Sequence, residues 1–180
     1  SFSKAKSKQV MRLWLDHLLL TASEGRSIGS AISIGRPDNS GGDRIELRAI
    51  SPPAAIGELE KLLKWYRLSL RYPLPLFPNA IGSVVSAIFK GDDIEDEQSA
   101  RRLLYAADSE YSEQRVGTAE STLFSVRTAF AGHDPMKMTC VELPELESGG
   151  DLTLFHCFVR SICLPMVDHL ECLVQPRAGT

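Results

Sequence analysis

Five prolines bracket one segment of this chain: Pro52 and Pro53 at its start, and Pro73, Pro75 and Pro78 beyond its end. Proline fixes φ and carries no amide proton, so it is accepted in the first turn of a helix and rejected from the interior. Ser51-Pro52-Pro53 therefore reads as a cap and a first turn, and Leu59, Leu62, Leu63, Tyr66 and Leu70 continue the helix until Pro73 stops it. The stiff run Pro73-Leu74-Pro75-Leu76-Phe77-Pro78 comes next, with Leu74, Leu76 and Phe77 expected to pack on the domain's own sheet. Asn79 is placed to cap a short helix through Ile81, Val84, Val85, Ile88 and Phe89, closed by Gly91.

The rest of the chain arranges itself around that segment. Val10, Leu13, Trp14, Leu15, Leu18 and Leu19 recur at helical spacing over residues 7–22, and Gly25 supplies a stop. Residues 28–34 and 45–50 alternate in part with period two across the turn cluster 37–42, which predicts an antiparallel hairpin. The acidic link Asp92, Asp93, Glu95, Asp96 and Glu97 leads into a helix over about 97–112 on Leu103, Leu104, Ala107 and Tyr111. Another helix is expected from Thr118 through Leu123, Val126 and Phe130 to Gly132, and a strand over 136–143. From Asp151 onward Leu154, Phe155, Phe158, Val159, Ile162, Met166, Val167 and Leu170 make one stripe, read as a core helix or helix pair kinked at Pro165. The class is α+β, or a reduced α/β layer: helix-rich with a small sheet.

At 180 residues, 43% hydrophobic and 24% charged, the chain is long enough for one domain with a core of its own, 1–180. No apolar run is long enough for a bilayer and no secretory leader opens the chain, so a cytoplasmic protein without membrane contact is expected. Starting at Ser1 in mid-pattern, it reads as a fragment of a longer subunit. A net charge of −3 repels a polyanion weakly, so any DNA contact must be local. Two basic groups offer one: Lys4, Lys6, Lys8 and Arg12, and Lys61, Lys64, Arg67 and Arg71. Each is equally readable as the solvated side of an amphipathic helix. Trp65, Tyr66 and Tyr72 are the candidate anchors for a protein partner.

Catalytic constellations are sparse. His156, Cys157, Cys163, His169 and Cys172 have the atom types for zinc, yet ligands strung along one helix do not close a tetrahedron. The four cysteines, with no C-x-x-C pair, fit reduced, partly buried thiols rather than nucleophiles paired with His133, His156 or His169. Gly41-Gly42-Asp43 precedes a strand instead of opening a helix, so it is no phosphate loop. Asp43 and Glu46-Leu47-Arg48 loosely imitate the Mg²⁺-binding acids and lysine of PD-(D/E)xK nucleases, with Arg in the lysine position and both acids on one strand. A polar row on a solvent-facing edge strand explains them more simply. No catalytic residue, metal or cofactor is assigned.

Two stretches carry a resemblance: Leu63-Lys64-Trp65-Tyr66-Arg67-Leu68-Ser69-Leu70-Arg71-Tyr72-Pro73-Leu74-Pro75-Leu76-Phe77-Pro78 and Lys6-Ser7-Lys8-Gln9-Val10-Met11-Arg12-Leu13-Trp14-Leu15-Asp16-His17-Leu18-Leu19-Leu20. Together they resemble the C-terminal region of the gamma subunit of exodeoxyribonuclease V, RecC. Weaker echoes are Ser33 to Arg36, Ala129 to Pro135, and Phe158 to Leu170; Ser69 stands where the family usually has Gly. The resemblance implies a degenerate PD-(D/E)xK nuclease fold that has lost its metal ligands. It also implies a non-catalytic role beside RecB and RecD in subunit assembly and DNA-strand guidance, during repair and recombination of double-strand breaks. An active metal-dependent nuclease and a pure protein-interaction module are the alternatives.

Overall fold

The computed structural model describes residues 4–34, 43–89, 97–112, 124–131, 133–139 and 153–174. In chain order they form α1 (Lys4–Glu24), β1 (Ala31–Ile34), β2 (Asp43–Leu47), α2 (Pro52–Ser69), α3 (Pro78–Phe89), α4 (Glu97–Ser112) and α5 (Phe124–Phe130). A 3-10 turn (Pro135–Lys137), α6 (Leu154–Phe158), a π turn (Val159–Cys163), α7 (Leu164–Asp168) and β3 (Leu170–Val174) follow. The class is α+β as expected. The turn cluster 37–42, Gly91, the acidic link 92–96, residues 118–123 and Gly132 lie outside the described residues. Among the described residues no helix is long and apolar enough to cross a membrane.

The proline bracket acts as its chemistry requires. Ser51 is extended, its side chain accepts from the Ala54 amide, and Pro52 opens α2. At the far end Leu74 and Phe77 are buried, and the Phe77 ring lies 4.5 Å from that of Tyr111 and 5.9 Å from that of Phe130. α3 begins two residues earlier than an Asn79 cap would place it. The Phe77 carbonyl accepts the Ile81 amide at 2.9 Å, and Pro78 takes the first turn, where a missing N–H leaves no helical bond unmade. Gly25, at φ +64°, ends α1 in the left-handed region that disfavours a side chain.

The hairpin forms with Ala31 opposite Leu47 and Ile34 opposite Arg44. Its neighbour was not anticipated. The C-terminal stripe is not one kinked helix: before Pro165 the Leu164 amide reaches back to the Val159 carbonyl, a π register that reseats the chain ahead of a residue with no donor. α7 then stops, and β3 runs antiparallel to β2 with Leu170 opposite Leu47 and Val174 opposite Asp43. The sheet order is β1-β2-β3, so β2 is central and the edge-strand reading of Glu46 is wrong. The strand expected over 136–143 is also corrected. Its described part is the 3-10 turn, where Asp134 accepts from the Met136 amide, followed by a single bridge between Thr139 and Thr153.

α3 sits against α1, α4, α7 and the π turn. The core collects Val10, Trp14 and Leu18 from α1, Ile45 and Leu47 from β2, and Ile81, Val84 and Val85 from α3. Phe155, Phe158, Ile162 and Met166 complete it from the C-terminal run. His17 is buried with them, its Nε2 3.3 Å from the Arg48 carbonyl. Burial, with His169 nearby, holds its pKa below the usual histidine value, and the ring tilts beside Trp14.

α2 is rotated relative to the expected stripe. Its buried residues are Ala55, Trp65 and Leu68, whereas Leu63, Tyr66 and Leu70 are 51%, 61% and 69% exposed. Trp65 decides the rotation: its indole N–H donates to Ser161 Oγ at 2.7 Å, and its ring meets Phe158 edge-on at 5.2 Å. Trp65→Phe keeps the ring contact and removes the bond, so urea unfolding should show a loss of about 1 kcal/mol. Trp65→Ala should cost roughly 3–5 kcal/mol. Equal, negligible losses in both variants would remove Trp65 as the anchor of α2.

Candidate functional site

The nuclease-like triplet lies at the joint between β2 and β3. Glu46 stands opposite Glu171 on β3 and opposite Ile32 on β1, while Asp43 opens β2 opposite Val174. Arg48, in the lysine position, donates through its guanidinium to the Asp168 carbonyl and places Nε 3.7 Å from Glu171. Its backbone amide donates to the His169 carbonyl at 2.7 Å. Carboxylates directly across a ladder repel, and Arg48 offsets that repulsion while tying the end of β2 to the turn that starts β3. The triplet is thus engaged in holding the sheet. Among the described residues no group of three or more His, Cys, Asp or Glu side chains gathers where an ion could sit.

Among the described residues thiol chemistry fares no better. Cys163 is fully buried and burial pushes its thiol up to about 12, far from a nucleophile's range. Cys157 is disulfide-bonded, which overturns the expectation of reduced thiols throughout. Spacing alone gave no sign of that bond, since the sequence holds no C-x-x-C pair.

The two basic groups separate. Lys4, Lys6 and Lys8 belong to the α1 backbone, but their side chains lie outside the described residues. Arg12 is exposed and 3.8 Å from Asp16 one turn on. On α2, Lys61 turns away to Glu58, 2.7 Å from its Oε1. Lys64, Arg67 and Arg71 stay together and line a shallow cavity of about 590 Å³ with Glu60, Leu68 and Leu70. Among the described residues Lys64 and Arg67 have no ion-pair partner. Arg67 and Arg71 also stand near the C-terminal end of α2, where the helix dipole favours cations.

The three partner candidates are likewise divided. Trp65 is only 4% exposed and belongs to the core, so it is unavailable to a partner. Tyr66 and Tyr72 are exposed, Tyr66 beside the basic row and Tyr72 just past the helix end. Ser69 is exposed and donates to the Tyr66 carbonyl at 2.7 Å without disturbing α2. Sequence reasoning missed the apolar surface formed by Ile56, Leu63 and Tyr66 of α2 and by its C-cap Leu70, all exposed. The only signal for it was that α2 carries more large apolar residues than one buried side can hold.

These features define a helix-rich α+β domain whose most distinctive surface is the outer side of one helix. Residues 1–89 match the family model of the RecC C-terminal domain, so over that segment the chain is similar to this family. The match ends with the last residue of α3, so it includes α1, β1, β2 and the whole of α2. No curated protein matches the chain.

Arg48→Ala should lower stability by about 1 kcal/mol, because it leaves Glu46 and Glu171 opposed. Adding Glu171→Gln should restore most of that loss in urea unfolding. Failure of the second change to rescue would mean that Arg48 does not act through this pair.

Proposed function

We propose that the chain is a nuclease-like, non-catalytic domain of a RecC-type subunit, serving subunit assembly with RecB and RecD and guidance of DNA strands during double-strand-end processing. The observation that carries this reading is the outer side of α2, which lies inside the family match and sets Lys64, Arg67 and Arg71 beside exposed Leu63, Tyr66 and Leu70. An apolar surface left in water fits a protein contact, and a row of cations fits phosphates, which position a strand without reading its sequence. The basic opening of α1, at Lys4, Lys6, Lys8 and Arg12, is a second proposed strand contact. Engagement of Glu46-Leu47-Arg48 at the sheet joint supports a non-catalytic role.

The test uses the complex reconstituted with RecB and RecD. Lys64→Glu with Arg71→Glu should weaken DNA-end binding and flatten the salt dependence by about one to two log–log units, at roughly 0.9 per phosphate contact. An unchanged slope would favour a domain that contacts protein alone. Mg²⁺- or Mn²⁺-dependent cleavage by the chain itself, abolished by Asp43→Ala or Glu46→Ala, would favour an active nuclease instead.

A further inference from the structure

The exposed apolar residues of α2 have a regular order. Ile56, Leu59, Leu63, Tyr66 and Leu70 follow one another at alternating intervals of three and four, the spacing of a and d positions in a coiled coil. Leu59 is half-buried and packs against the core, while the other four are exposed, so the seam runs along the side of α2 facing away from Trp65. A seam of this period fits a second helix, whose knobs insert between those of the first. A phosphate backbone offers nothing to cover it.

Charge selects among helices. In this register Glu60 and Arg67 fall at e positions flanking the seam, and Lys64 and Arg71 fall behind them. Three cations against one anion make the flank basic, and Lys64 and Arg67 have no ion-pair partner among the described residues. A second copy of the chain would bring the same excess of cations.

We infer that the outer side of α2 is a docking seam for an amphipathic helix with heptad apolar residues and an acidic flank facing Arg67. The inference rests on the assembly half of the proposed function and deepens it by naming the partner's chemistry. Arg67 pairs with the incoming helix, while Lys64, set back from the seam, remains open to phosphates.

The probe is a synthetic three-heptad peptide with leucine at a and d and glutamate at e and g, titrated onto the full chain by fluorescence anisotropy. A second peptide carries lysine at e and g. The glutamate peptide should bind, and Leu63→Ser should weaken it about tenfold or more, the usual scale for a central interface anchor. Arg67→Glu should weaken the glutamate peptide and improve the lysine peptide; its site is exposed, and circular dichroism confirms the fold of each variant. No binding, equal binding of both peptides, displacement of the peptide by an oligo-dT strand, or self-association lost with Leu63→Ser each overturns the inference. If Leu63→Ser blocks assembly with RecB and RecD although neither peptide binds, the assembly reading stands and only the partner's chemistry is wrong. If assembly is unchanged by Leu63→Ser, the assembly reading itself fails.

Discussion

The bond from the Trp65 indole to Ser161 Oγ, 2.7 Å long and backed by Phe158, settles how α2 is turned about its axis. A helix has one rotational freedom when it packs, and each residue advances about 100° around it. Holding Trp65 inward therefore sends Tyr66 and Leu70 outward and brings Lys64, Arg67 and Arg71 to one shared edge. The partner group is itself a product of the π turn, which presents Ser161 toward α2 just before Pro165. A local irregularity near the C-terminal end thus orients a surface on the second helix, 96 positions away in sequence.

What the sequence disclosed follows from how local each signal is. The start of α2 was legible because Ser51 and Pro52 admit few conformations, and Gly25 marked the end of α1 for a similar reason. The rotation of α2 was not, because it carries apolar residues on two sides and the buried side is set by distant partners, α1 together with Ser161 and Phe158. β3 escaped because Leu170 continues the apolar stripe of the preceding helical run, and a strand of five residues directly after α7 has no turn signal of its own. Missing β3 also misplaced β2 at an edge, and with it the meaning of Glu46 and Arg48. The basic row was named in full, but Lys61 leaves it through a short-range pairing with Glu58. Trp65 was named as an anchor and proves to be one, within the chain rather than between chains.

The family match and the geometry bear on different scales. The match covers α1 through α3 and shows a likeness to the RecC C-terminal domain. The geometry shows why this segment does not stand alone in the fold: β3 completes the sheet, and the C-terminal run supplies Ser161 and Phe158, both from beyond the match. In the same structure a triplet resembling a nuclease motif is engaged at the sheet joint. Its structural employment is displayed by Arg48, whose Nε lies 3.7 Å from Glu171.

The central claim is that the outward side of α2 is a working surface and its inward side is structural. Hydroxyl-radical footprinting of the chain alone and within a complex with RecB and RecD tests this residue by residue. Tyr66 and Leu70 should be reactive in the free chain and protected on assembly, with Trp65 protected in both states. Tyr66 and Leu70 equally reactive before and after assembly would contradict the account.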